Sequence, residues 1–116
     1  MSSLKKQTLL DGKLIVLEPK GNFIGGDETD NLRAELKMIA DEGNVKLVID
    51  LGEVSYLNSS ALGVLISAHA NYAKREGIIK LCRLNKNIEN LFVITKLSKI
   101  FDSYPSQMEA VASFSE

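Results

Sequence analysis

Two adjacent hydroxyls, Ser59 and Ser60, follow Asn58 at a point where an apolar strand pattern gives way to an apolar helical pattern. The surrounding stretch, Val48 to Val64, reads VIDLGEVSYLNSSALGV. A strand-to-helix junction is one of the few places where a backbone readily accepts an anion, because the first N–H groups of the helix have no intrahelical acceptor. Nucleophilic catalysis is the first chemistry to weigh for such serines. Neither lies in a G-x-S-x-G elbow, and the chain has one histidine, His69, ten residues beyond Ser59. At a helical rise of about 1.5 Å per residue this base lies about three turns away and cannot reach the hydroxyl. Two other readings of Asn58-Ser59-Ser60 stand side by side. Asn and Ser are good N-caps, so the triplet can be a cap and no more. Alternatively, the paired hydroxyls at the carboxyl edge of a central strand form an acceptor site, where a phosphoserine would meet free N–H donors.

The elements that must position this junction follow from periodicity. Leu4 to Leu10 and Lys13 to Pro19 (KLIVLEP) read as strands joined through Asp11-Gly12, a type I′ turn signal. Gly21-Asn22 and Gly25-Gly26 bracket Phe23 and Ile24 and mark a loop needing positive φ. These glycines match neither the P-loop nor the dinucleotide fingerprint. Phe23 and Ile24 belong either to the core or to an exposed patch beside the serines. Leu32, Leu36, Ile39 and Ala40 give a helix that begins near Asp27 or Glu28 and stops at Gly43. Val45 to Leu51 (VKLVIDL) is a strand with apolar neighbours at Val48 and Ile49, as expected of a sheet centre. The next helix runs from about Ser60 to Lys74, with Leu62, Leu65, Ile66, His69, Ala70 and Ala73 as one apolar side and Gly63, Ser67 and Ala70 as a row of small residues suited to close packing. Ile78 to Leu84 is a strand, and Asn85 caps a helix carrying Ile88, Leu91, Phe92 and Thr95. Ser98 to Ser103 is a short extended piece. A final helix from Pro105 turns Met108, Val111, Ala112 and Phe114 inward. The order β-β-α-β-α-β-α-β-α predicts a mostly parallel α/β sheet that opens with a hairpin and is covered by about four helices.

Composition narrows the function classes. A chain of 116 residues suits one domain, 1–116. Its net charge of -1 offers no basic excess for a phosphate backbone, so nucleic-acid binding is not expected. No apolar run is long enough to span a bilayer, and the N-terminal MSSLKKQTLLDGK lacks the apolar core of a signal peptide. The single cysteine, Cys82, permits no internal disulfide and fits a reducing cytoplasm as a small core hydrophobe. With one Cys and one His, no Cys/His metal site is expected, and His69 reads as a half-buried packing residue.

The stretch VIDLGEVSYLNSSALGVLISAHANYAKREG resembles the signature of bacterial anti-sigma factor antagonists, founding members of the STAS domain family. Their pattern is an apolar strand, a D-S-[ST]-G-L-G-[VT] junction, a long helix and a glycine entry to the next strand. GNFIGGDETDNLRAEL resembles their first loop and helix, and NIENLFVITKLSKIFDSYPSQMEAVASF their final helix-strand-helix. The resemblance spans nearly the whole chain and implies a STAS-type single domain acting as a switch, not an enzyme. It implies Ser59 as phosphoacceptor, with Ser60 second, and an anti-sigma factor/serine kinase that is bound when the serine is free and released when it is phosphorylated. A PP2C-type phosphatase would reset the switch. Phe23, Ile24, Asn58, Ser59, Ser60 and Gly63 are the expected partner-binding residues. No cofactor, metal, membrane or obligate small-molecule ligand is implied. Asn58 replaces the family Asp and Ala61 the family Gly. The competing reading is a STAS scaffold that docks partners through the same edge and never carries phosphate.

Overall fold

The computed structural model describes residues 3–9, 12–44 and 46–115. Strands β1 (Ser3–Leu9) and β2 (Leu14–Phe23) form the expected antiparallel hairpin, in register from Ser3 opposite Lys20 to Leu9 opposite Leu14. Leu10 and Asp11, the end of the first expected strand and half of the turn signal, lie outside the described residues, as does Val45. Helix α1 (Gly26–Asp41) leads to β3 (Lys46–Asp50), β4 (Glu53–Leu57) and α2 (Ser59–Lys74). Strand β5 (Ile78–Cys82), α3 (Lys86–Ile94), a one-turn 3₁₀ helix (Leu97–Lys99), β6 (Asp102–Tyr104) and α4 (Gln107–Ser113) complete the chain.

The sheet runs β1-β2-β3-β5-β6, with every pair after the hairpin parallel. Strand β4 continues along the same edge of β2, beyond the end of β3. This strand departs from the expected order, which had only a connection there. Its burial does not alternate: Val54 and Leu57 are buried while Ser55 and Tyr56 between them are exposed. The cause is a bulge in β4 itself: Gly21 pairs with Val54 and Asn22 with Tyr56, so Ser55 has no partner on β2. A bulge leaves one residue unpaired and turns the strand. Gly21-Asn22 is therefore part of β2 and not of a loop, although Gly21 does adopt the positive φ its type allows (117°).

Alternation along the strands divides the core. Ile15, Leu17, Leu47, Ile49, Ile79 and Leu81 face α1, α2 and α3. Leu14, Val16, Val48 and Cys82 face the other way and are covered by Ala110 of α4, with Val111 and Phe114 alongside. Two expected helix faces are corrected. In α2 the inward residues are Ala61, Leu62, Val64, Leu65, Ala68 and Tyr72, whereas Ile66, Ala70 and Ala73 are exposed. The small-residue row Gly63, Ser67 and Ala70 thus faces outward rather than a neighbouring backbone. In α4 the N-cap is Ser106, whose Oγ accepts the Glu109 N–H at 3.1 Å, and Met108 and Ala112 point to solvent.

Candidate functional site

Asn58 sets the start of α2. Its backbone is extended (φ -93°, ψ -176°), and its side-chain Oδ1 accepts the Ala61 N–H at 3.0 Å. Its carbonyl accepts the Leu62 N–H at 2.9 Å. Ser59 and Ser60 therefore occupy the first two helical positions, and both are exposed. Ala61, fully buried, turns its methyl into the core, where glycine would leave that space unfilled. The first turn carries no acidic residue, so no carboxylate of that turn opposes a negative charge on either hydroxyl. Together with the N-terminal end of a 16-residue helix dipole, this is a local setting that tolerates a dianion.

The loop between β2 and α1 is tied to the same point. The Asn58 N–H donates to the carbonyl of Phe23 at 3.0 Å. Immediately after Phe23, Ile24 is 59% exposed. Gly25 and Gly26 both adopt positive φ (94° and 73°), which turns the chain sharply into α1. The Gly25 N–H donates to Oγ1 of the buried Thr29 at 2.9 Å, which fixes the loop to the helix it precedes. Of the apolar pair, Phe23 is buried in the main core and offers no surface; the exposed-patch expectation is corrected for it, and Ile24 alone projects. Ile24, Asn58, Ser59 and Ser60 are thus gathered at one end of the molecule. Gly63 lies one helical turn beyond Ser59, is exposed, and has open space where a Cβ would stand. Tyr56, 53% exposed and two residues before Asn58, joins this surface. Sequence reasoning missed it because β4 was not foreseen.

Five titratable side chains away from the junction, His69, Cys82, Tyr72, Asp50 and Lys80, sit in structural surroundings. The His69 ring meets Phe101 edge-on, with centroids 5.2 Å apart, as a packing residue does. Cys82 is fully buried, and burial pushes its thiol up to about 12, with the Asp50 carboxylate adding to the effect. Burial likewise pushes the Tyr72 phenol up to about 12. On the α4 face, buried Asp50 accepts the Gly52 N–H and the Gln107 side-chain amide, each at 2.8 Å, and lies 3.5 Å from Arg83 Nε. Lys80 donates to Ser113 Oγ at 2.7 Å and lies over the Phe114 ring at 4.4 Å. Among the described residues there is no group of three or more His, Cys, Asp or Glu able to hold a metal ion. No described helix is long and apolar enough to cross a membrane.

Comparison with known proteins agrees with this architecture. The STAS domain profile matches residues 6–110. The anti-sigma-B factor antagonist of Listeria monocytogenes is 34% identical over 84 residues, covering 69% of this chain and 74% of that protein. Among solved structures, an anti-sigma factor antagonist from Mycobacterium paratuberculosis is similar with a TM-score of 0.85 at 20% identity, over 100% of this chain and 96% of the other. The Bacillus cell fate determinant SpoIIAA in its phosphorylated form is similar with a TM-score of 0.77 at 13% identity, over 97% and 99% of the two chains. The fold, an N-terminal hairpin on a mostly parallel sheet with four α-helices, and the profile covering residues 6–110 lead to one conclusion: the chain belongs to the STAS domain family.

Proposed function

We propose that this chain is a cytoplasmic anti-sigma factor antagonist, a binding protein whose hold on its anti-sigma factor is switched by phosphorylation of Ser59. The observation that carries the reading is the exposed Ser59 hydroxyl at the first position of α2, capped by Asn58 and facing no carboxylate in its own helical turn. Its support is the named role of the relatives, together with the existence of a phosphorylated form of a protein with the same fold. The chain acts as acceptor and not as catalyst. An anti-sigma factor with serine-kinase activity supplies the phosphoryl group, and a PP2C-type phosphatase removes it.

The switch follows from electrostatics. A phosphoserine adds a charge of about -1.5 to -2. In the free protein the helix N-terminus and water stabilise it. In a packed interface it loses that water, and an unpaired buried charge costs several kcal/mol. The fold need not change for the complex to dissociate.

One residue favours a second reading. Asn58 caps α2 through its amide oxygen without a carboxylate's charge, and a kinase that recognises an Asp at this position loses one ionic contact. On that reading the chain is a STAS scaffold that docks partners and carries no phosphate. Intact mass of the protein after incubation with the cognate kinase and ATP separates the two. The switch requires one added phosphate that Ser59→Ala abolishes and Ser60→Ala does not. An unchanged mass supports the scaffold, and phosphate on Ser60 alone moves the acceptor by one residue.

A further inference from the structure

The two edges of the sheet differ. One is β6, three residues long and too short to offer much backbone to another chain. The other is β1, seven residues in unbroken register with β2, from Ser3 opposite Lys20 to Leu9 opposite Leu14. It has no bulge and no proline, and Lys5, Lys6, Gln7 and Thr8 are all exposed. Among the described residues no strand pairs with its outer side, so a row of backbone N–H and C=O groups there faces solvent. A row of this kind is a template for one more strand, because main-chain hydrogen bonds supply the affinity and side chains the selection.

The side chains of β1 decide which strand fits. Like charges directly opposite each other are destabilising, so Lys5 and Lys6 reject any pairing that sets a lysine against them. A second copy, joined antiparallel about a two-fold axis, must centre the pairing on one residue, because alternate side chains point to opposite faces. Centring on Lys5 or Lys6 sets that lysine against its own equivalent. Centring on Leu4 or Thr8 avoids this but pairs only residues 3–5 or 7–9 of each strand. Centring on Gln7 pairs residues 5–9 of both copies, with Lys5 opposite Leu9, Lys6 opposite Thr8 and Gln7 opposite Gln7. No lysine then faces a lysine. The two Gln7 amides can donate and accept reciprocally. Lys6 is already turned onto its own α1, 3.4 Å from Glu35, which offsets its charge. The lysines thus act as a filter, and in the register that passes it β1 is its own complement. The edge also stands clear of the serine junction: α1 packs on β2, while α2 packs on α1, β4 and β5.

We propose that the outer edge of β1 pairs with β1 of a second copy, antiparallel and centred on Gln7, so that two sheets join into one across a two-fold axis. This inference is independent of the function proposed above. Its test is sedimentation equilibrium of the full chain over a concentration series, together with oxidative cross-linking of single-cysteine variants made in a Cys82→Ala background. The wild-type chain is expected to sediment with twice the mass of the 12.7 kDa chain and to dissociate on dilution. Gln7→Lys places like charges at the centre and is expected to weaken the dimer by about tenfold or more, with an unchanged circular dichroism spectrum because the site is exposed. Gln7→Cys should cross-link with itself. Lys6→Cys and Thr8→Cys should each stay uncross-linked alone and join when mixed. A wild-type chain that is monomeric at every concentration overturns the proposal. So does a dimer that Gln7→Lys leaves intact, or one in which Lys6→Cys cross-links with itself and Gln7→Cys does not. A chain that is monomeric alone, and whose binding to the cognate anti-sigma factor Gln7→Lys weakens, assigns the edge to that partner and overturns the proposal as well.

Discussion

The backbone N–H of Asn58 donates to the carbonyl of Phe23 at 3.0 Å, joining the serine junction to the loop that carries Ile24. One residue thus caps α2 with its side chain and holds a second segment of the surface with its main chain. Asn58→Ala keeps the main-chain bond and loses the cap. It should lower unfolding free energy by about 1 kcal/mol in urea denaturation, whereas Asn58→Asp should change it by less than about 0.5 kcal/mol because a carboxylate also caps.

Among the described residues Gly63 has no packing role, since none outside its own stretch of helix lies within 4 Å of a Cβ added there. Helix propensity alone then makes Gly63→Ala stabilising, by up to about 1 kcal/mol. Gly63→Tyr should also fold, with an unchanged far-ultraviolet spectrum. On the proposed function, however, it should weaken anti-sigma factor binding by more than tenfold, because the bulk stands one turn from Ser59. Equal affinity of the two variants would remove Gly63 from the interface.

Asp50 joins three elements from inside the protein: the turn after β3 through Gly52, α4 through Gln107, and the end of β5 through Arg83. Asp50→Ala leaves the Gly52 N–H and the Gln107 amide without their acceptor. A loss of about 2–3 kcal/mol is expected in denaturant titration. Gln107→Ala removes one of these contacts and should cost less.

Stability should fall at alkaline pH, and the sign follows from burial. Cys82 and Tyr72 have ordinary values of 9.0 and 10.0, which the native state pushes up to about 12 for each. The native protein keeps both protons where the unfolded chain releases them. Their contribution is full below about pH 9 and is lost as pH rises toward about 12. Thermal midpoints should hold between pH 7 and 8.5 as far as these groups decide, and drop above pH 9. Cys82→Ala should remove the earlier part of that drop. The native thiol should also resist a disulfide reagent at pH 8 and react on unfolding.

Much of this fold was legible because its signals are local. The continuous apolar run from Leu14 to Leu17 and the apolar centre of β3 mark strands buried on both faces within a few residues, and Asn58 and Asn85 are caps at the expected positions. The gathering of Asn58, Ser59 and Ser60 needed only chain adjacency. What was not legible depends on distant partners. Strand β4 owes its irregular burial to a bulge at Ser55, which exists only once β4 pairs with β2. The inward side of α2 was misread because the helix is apolar nearly all round, and Ile66 and Ala70 fit a helical stripe as well as Val64 and Ala68 do. The burial of Phe23, the exposure of Met108 and the bond between Asp50 and Gln107, 57 residues apart, arise only when the sheet is assembled.

The central claim is that a phosphate on Ser59 breaks a complex without unfolding the chain. It is tested most directly by the dissociation constant of the cognate anti-sigma factor for the unmodified chain and for the chain phosphorylated at Ser59, measured side by side with circular dichroism of both forms. An unpaired buried charge costing about 4 kcal/mol predicts roughly a thousandfold weaker binding for the phosphorylated form, with superimposable spectra. Equal affinities of the two forms would contradict the account.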